Sequence, residues 1–287
     1  MPEVSVVITT HNRIDLLPRA LESVRRQTVQ PLEVIVVADG CNDGTAEWLT
    51  GEADIRTIIH PDAKGISAAR NAGIASARGE WLAFLDDDDA WLPDKLERQL
   101  ATIRQSPGYR LCHTDEIWIR HGKRVNAMNK HRKQGGWIYP DCLPLCVISP
   151  SAVMIQRHLF DDVGVFETSL PACEDYDLWL RICAREPVLY IDQPLITKYG
   201  GHPDQLSRKY WGMDRFRIQS LENMLSLDTL SVEYRKLTLE MLTEKMRIYI
   251  QGARKRGRHR VVEDYQQRLH QHETQLDQLK PRNIAAC

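Results

Sequence analysis

Short apolar runs alternate with amphipathic stretches along the first hundred residues. Val4 to Thr10, Glu33 to Ala38, Ile55 to His60 and Trp81 to Leu85 read as strands, the first as a buried one. Between them Leu16 to Arg26, Thr45 to Thr50 and Ser67 to Ala77 carry helical spacing, and Asp94 to Gln105 supplies a further helix. This βαβ series predicts an α/β fold with a mostly parallel, doubly wound sheet flanked by helices.

The middle of the chain is less regular. Arg110 to Arg120 reads as a strand containing Trp118, and His121 to Gly136 as a basic, mobile loop with paired glycines at its end. Ala152 to Gln156 reads as a strand, Asp177 to Ala184 as a helix opened by Glu174 and Asp175, and Val188 to Tyr199 as one or two strands. Beyond Trp211 the pattern is helical to the end. Leu221, Leu225, Leu237, Met241 and Met246 fall at heptad-like spacing, predicting a helical appendage packed on the core. There is no internal repeat.

Composition narrows the classes. With 287 residues, 43% of them hydrophobic, the chain can form one large domain or a domain with an appended piece. Lys and Arg number 38 against 39 Asp and Glu, so nothing draws the whole molecule to nucleic acid and phosphate binding must be local. Seven scattered cysteines argue for reduced thiols in a cytosolic protein, and Cys142-x-x-x-Cys146 lacks the second close pair that zinc would need. The N-terminus has no basic region leading into a long apolar stretch, and no segment reaches eighteen uncharged apolar residues. The expectation is a cytoplasmic protein with neither export signal nor membrane span.

Candidate chemistry gathers where strands end. Trp81 to Leu85 stops in Asp86, Asp87, Asp88 and Asp89. Ligands bind at the carboxyl ends of open α/β sheets, and adjacent carboxylates suit Mg²⁺ or Mn²⁺ bridging substrate phosphates. A plain acidic turn before a helix started by Pro93 and Asp94 is the alternative. The first strand ends in Thr9-Thr10-His11-Asn12-Arg13, the second in Ala38-Asp39-Gly40-Cys41-Asn42-Asp43-Gly44. Asp39 can accept from a uracil-type imide or a ribose hydroxyl, or the tripeptide Asn42-Asp43-Gly44 can be a simple Asx turn. Lys64-Gly65-Ile66-Ser67-Ala68-Ala69-Arg70-Asn71 opens a helix whose backbone N–H groups and cations suit a pyrophosphate, or else form an exposed basic helix. Neither a G-x-G-x-x-G after the first strand nor a G-x-x-x-x-G-K-[ST] is present.

In order, these segments, with Glu174-Asp175-Tyr176-Asp177-Leu178-Trp179, resemble the family 2 glycosyltransferases of the GT-A fold over roughly the first two hundred residues. Members usually carry two aspartates where this chain has Ala38-Asp39, and the second is kept. The resemblance implies a GT-A, Rossmann-like domain over 1–210, with its nucleotide-sugar part to about 105 and its acceptor part over 106–210, followed by a helical extension over 211–287. It implies inverting transfer of a sugar from a nucleoside diphosphate donor, of the UDP or dTDP type, to a hydroxyl of a glycan or lipid-linked acceptor.

In family terms Asp86 and Asp88 form the D-x-D element that holds Mg²⁺ or Mn²⁺, with Asp87 nearer the ribose. Thr9, His11, Arg13, Asp39, Lys64, Gly65 and Arg70 complete the nucleotide-sugar site. Asp175 resembles the general base, with Glu174 and Trp179 orienting or contacting the acceptor. His202 resembles a further metal ligand, while Tyr199, Arg208 and Lys209 are phosphate candidates. Trp118, Trp137 and Tyr139 offer flat surfaces to sugar rings, or pack in the core. The basic run Arg254 to Arg260 suits anionic head groups on the inner face of a membrane, or is a solvated helix face. The rival classes are a non-catalytic nucleotide-sugar-binding or scaffold protein, against which Asp175 beside the Asp86/Asp88 pair argues, and a sugar nucleotidyltransferase, which usually has a basic glycine-rich loop after its first strand.

Overall fold

The computed structural model describes residues 3–126, 132–201 and 210–279. In chain order its elements are β1 (Val4–Thr10), α1 (Leu17–Arg25), β2 (Glu33–Asp39), α2 (Thr45–Thr50), β3 (Arg56–His60), α3 (Ile66–Ser76), β4 (Trp81–Asp86), β5 (Ala90–Trp91) and α4 (Lys95–Gln105). There follow β6 (Leu111–Arg120), β7 (Lys123–Val125), α5 (Tyr139–Cys142), β8 (Met154–Gln156), α6 (Leu159–Val163), α7 (Glu174–Cys183) and β9 (Leu189–Gly200). Three helices complete the described chain: α8 (Asp214–Leu225), α9 (Val232–Arg254) and α10 (His259–Gln278).

β1 is buried at every position because it pairs in parallel with both β2 and β4 and is covered on both faces. Its side chains alternate: Val4, Val6 and Ile8 pack with Leu17 and Leu21 of α1 and Leu96 and Leu100 of α4. Val7 faces the other way, into a cluster with Ala69 of α3 and Phe84. α3 can lie this close because residue 73 is glycine, where an added Cβ would stand 2.3 Å from Val7 Cγ1. The register aligns Thr9 with Asp86, Thr10 with Ala38 and Asp39 with His60. Four carboxyl ends, those of β1 to β4, therefore finish at one edge.

The second half of the sheet departs from the mostly parallel expectation. Among the described residues the order is β3-β2-β1-β4-β8-β6-β9-β5, with β7 on β6. β8 runs antiparallel to β4 and β6, β6 and β9 are parallel, and β5 is antiparallel to β9. Two- and three-residue strands such as β5 and β8 are too short to show a period. The basic segment after Arg120 is also not simply a loop. His121 and Gly122 both have positive φ, 50° and 74°, and turn the chain back so that Arg120 pairs with Lys123, as a two-residue hairpin turn does. Residues 127–131 of that segment lie outside the described residues.

The C-terminal helices share the main core. Leu221 and Met246 are buried in the cluster that holds Phe84, and Leu225, Leu237 and Met241 pack against it. Tyr139 Oη and Thr238 Oγ1 are 2.6 Å apart, and Lys245 donates to the Pro144 carbonyl at 2.8 Å. No helix among the described residues is long and apolar enough to cross a membrane.

Candidate active site

At the end of β4 the chain turns sharply, Asp89 N–H donating to Asp86 O at 3.0 Å, and the four carboxylates diverge. Asp86 accepts from Arg70 Nη2 at 2.7 Å. Arg13 Nη1 lies between the next two, 2.9 Å from Asp87 and 3.1 Å from Asp88. Asp89 is buried and accepts from Ser151 Oγ at 2.7 Å and Tyr199 N at 3.3 Å. Arg19 donates to the Asp88 carbonyl at 2.6 Å and stacks 3.8 Å over the Tyr199 ring.

Burial and these cations compete. Burial pushes Asp86 upward, but Arg70, Lys198 and Arg13 together hold it below the usual carboxylate range. For Asp87 burial wins over Arg13, and the carboxyl rises to about 6. Asp89 is pushed well up by burial although Lys198 opposes it. Lys198 is in turn disfavoured by burial yet driven upward by Asp89, Glu116, Asp86 and Asp88. The loop is thus an acidic edge held in place by fixed cations.

The second strand end is braced in the same manner. Asp39 Oδ1 accepts from His60 Nδ1 at 2.7 Å and Lys64 N–H at 2.9 Å, and Oδ2 accepts from Gly65 N–H at 2.8 Å. Gly40, at φ 63°, lets the chain pass so close that a Cβ would stand 2.2 Å from Ala63 N. His11 Nδ1 meets the Asp39 carbonyl, and Asn12 Oδ1 accepts from Asn42 N–H at 2.7 Å. Asp43 accepts from Thr45 N–H at 3.1 Å and Ile14 N–H at 3.0 Å, the Asx-type turn that its tripeptide allows. The amides of Lys64 and Gly65 are taken up by Asp39, and Arg70 is buried between two acids.

Helix α7 begins at Glu174, three residues earlier than its apolar spacing indicates, after Cys173 in the left-handed region at φ 63°. Glu174 Oε1 accepts from Arg70 Nη1 at 2.7 Å, while its buried Oε2 has no hydrogen-bond partner among the described residues. Burial, with Asp175 next, raises Glu174 to about 7. Asp175 Oδ1 accepts from Tyr176 N–H at 2.7 Å and Oδ2 from the Cys146 thiol at 3.2 Å. Arg70 therefore joins the acid loop to the acids that open α7.

Trp179 is 1% exposed and packs edge-on to Phe166 at 6.5 Å, so it presents no face to a sugar and is corrected to a core residue. Tyr139 is likewise buried, whereas Trp137 is exposed. Thr9 is buried at the end of β1, and the Lys64 side chain is exposed. His202, Arg208 and Lys209 lie outside the described residues. Sequence reading missed Arg19, Ser151 and Cys146, which reach these residues through pairings between distant segments that no local motif marks.

Among the described residues no group of three or more His, Cys, Asp or Glu is arranged to hold a metal. Asp86 and Asp88 nevertheless supply two hard oxygen donors on one short loop, the set that Mg²⁺ or Mn²⁺ takes when diphosphate and water complete the shell.

The family model for Glycosyl transferase family 2 matches residues 5–162, more than half of the chain. The glycosyltransferase YwdF of Bacillus subtilis (strain 168) is 33% identical over 183 residues, covering 62% of this chain and 67% of that protein. A glycosyltransferase of Rickettsia felis is 27% identical over 220 residues, covering 72% of this chain and 36% of that one, so the chain spans about a third of such a relative's length. Among solved structures, Staphylococcus aureus TarS 1-349 in complex with UDP-GlcNAc superposes with a TM-score of 0.68 at 16% identity, covering 88% of this chain and 81% of that one. The same protein in complex with UDP gives 0.61 at 18% identity, covering 86% and 71%. These likenesses share the GT-A-like sheet with its C-terminal helices, and the match over residues 5–162 places the chain in glycosyl transferase family 2.

Proposed function

We propose that the chain is an inverting glycosyltransferase that takes a sugar from a UDP- or dTDP-type donor and uses Asp175 as its general base. The observation that carries this reading is the pair of charged hydrogen bonds that Arg70 donates, 2.7 Å to Asp86 and 2.7 Å to Glu174, which fixes the acid loop beside the start of α7. A base and a leaving-group site must be held at one separation for direct displacement. The UDP and UDP-GlcNAc complexes of the TarS neighbour support the choice of donor.

In this reading Asp86 and Asp88 would hold Mg²⁺ or Mn²⁺, with His202 as a further ligand, and the cation would supply positive charge to the diphosphate leaving group. Thr9, His11, Arg13 and Lys64 line the nucleotide side. Asp39 and Gly65 shape its base end through the turn they form, and Asp87 faces the ribose. Asp175 takes the proton of the acceptor hydroxyl as that oxygen attacks the anomeric carbon and the bond to the diphosphate oxygen breaks. The acceptor is a glycan or a lipid-linked saccharide. For the latter, the exposed Arg254, Lys255, Arg256, Arg258 and Arg260 at the α9–α10 turn would face anionic head groups on the cytoplasmic side of a membrane.

A thermal-shift screen of nucleoside diphosphate sugars with and without Mn²⁺ selects the donor, since a bound ligand raises apparent stability by mass action. Proton NMR of the first-formed product then decides the chemistry. Inverted anomeric configuration is expected. Retention would require a covalent glycosyl-enzyme or an equivalent double displacement and would overturn the reading.

A further inference from the structure

We infer that Cys146 is a positioning residue for Asp175: its thiol holds one carboxylate oxygen and so fixes which lone pair of the base meets the acceptor hydroxyl. This rests on the proposed role of Asp175. Cys146 lies between α5 and β8, with Sγ 3.2 Å from Asp175 Oδ2. The other oxygen is already held by the Tyr176 N–H at 2.7 Å. Two donors from different segments therefore set the carboxylate plane.

The sulfur is also 3.2 Å from the Ile148 carbonyl, and a thiol has one proton to give. An ionised carboxylate is the stronger acceptor, so the proton goes to Asp175. Burial, followed by the charge of Asp175, pushes the Cys146 thiol far above its usual range, which keeps it a neutral donor. A thiol is a weak donor. It orients the carboxylate while withdrawing little of the electron density that a base needs, where a hydroxyl or a guanidinium would lower its proton affinity further.

The groups facing Asp175 are few. Arg70 approaches from α3, Glu174 precedes it on its own helix, and Cys173 adjoins it with Arg217 and Asp214 of α8 beyond. Lys133 lies on the thiol's side, with Cys142. Among the described residues, Cys146 is the donor that reaches Oδ2.

The test compares wild type, Cys146→Ala, Cys146→Ser and Asp175→Asn by the pH profile of kcat/KM for UDP release from a UDP sugar, with water as acceptor. Thermal melts verify folding and calorimetry with UDP reports donor affinity. Cys146→Ala should move the acid limb upward by about half a pH unit and lower kcat about tenfold, with UDP affinity unchanged. Cys146→Ser restores a donor and should return the limb to the wild-type position or below it. If Cys146→Ala does not fold, Cys146→Val takes its place, with the same upward limb expected and an unmoved limb overturning the inference. Superimposable limbs in all the cysteine variants overturn it too, since a limb set by Asp87 would ignore residue 146. Full activity in Asp175→Asn would instead remove the base assignment on which the inference stands.

Discussion

Two runs of adjacent acids behave differently in this molecule. Asp86 to Asp89 close a strand and are matched by cations from three other segments, Arg13, Arg70 and Lys198. Glu174 and Asp175 open a helix and share a single arginine, which bonds Glu174 alone. The first run has its mutual repulsion held in check by these cations. The second keeps Glu174 buried and its carboxyl raised to about 7, with Asp175 half-buried beside it. Under the proposed function the strand-end acids bind the donor and the helix-start Asp175 takes the proton.

Breaking the link between the two runs should have the largest effect. Arg70→Met leaves Asp86 and Glu174 facing each other without their shared cation, and removing one partner of a buried pair costs about 3–5 kcal/mol. Denaturant unfolding should show that loss, whereas a change below about 1 kcal/mol would mean that the two acids do not depend on Arg70. Asp175→Asn comes next. It should lower turnover by about a hundredfold or more and leave the unfolding midpoint near that of wild type, and undiminished UDP release would count against it.

The pH dependence of stability sharpens the contrast. Glu174 rises from 4.5 unfolded to about 7 folded, and Asp87 from 3.8 to about 6. The folded protein therefore binds these protons more tightly than the unfolded chain does. Their contribution is full below about pH 4 and is lost as pH rises through about 6 to 7. Glu174→Gln should flatten that decline between about pH 5 and 7.5 in thermal melts. An unchanged slope would show that Glu174 does not titrate there. The smallest effect belongs to the surface. Replacing Arg254 by Gln should weaken co-sedimentation with phosphatidylserine vesicles by about 1 kcal/mol, and leave neutral vesicles unaffected.

The two regions also differed in how much of them could be read in advance. β1 to β4 and their helices follow from buried runs and helical spacing, because β1, β2 and β4 are buried along most of their length and most of the connecting turns carry a glycine or Asx residue. The order Asp39, Thr9, Asp86 along one edge follows from that topology alone. Beyond residue 105 the strands are short and mixed in direction, and their placement depends on pairings such as Cys112 with Leu189 that leave no local period. Arg70 illustrates the limit. Its motif marks it as a cation at a helix start, but only the fold shows that both of its bonds go to acids 16 and 104 residues away. Trp179 shows the converse, a tryptophan beside an acidic motif that serves packing.

The central claim is that the strand-end acids bind the donor and the helix-start acid does not. Calorimetric titration of UDP, with and without Mn²⁺, into wild type, Asp88→Asn and Asp175→Asn tests it without knowledge of the acceptor. The account predicts metal-dependent binding in wild type, its loss in Asp88→Asn and its retention in Asp175→Asn. Binding indifferent to Mn²⁺, or an affinity in Asp175→Asn reduced as far as in Asp88→Asn, would contradict it.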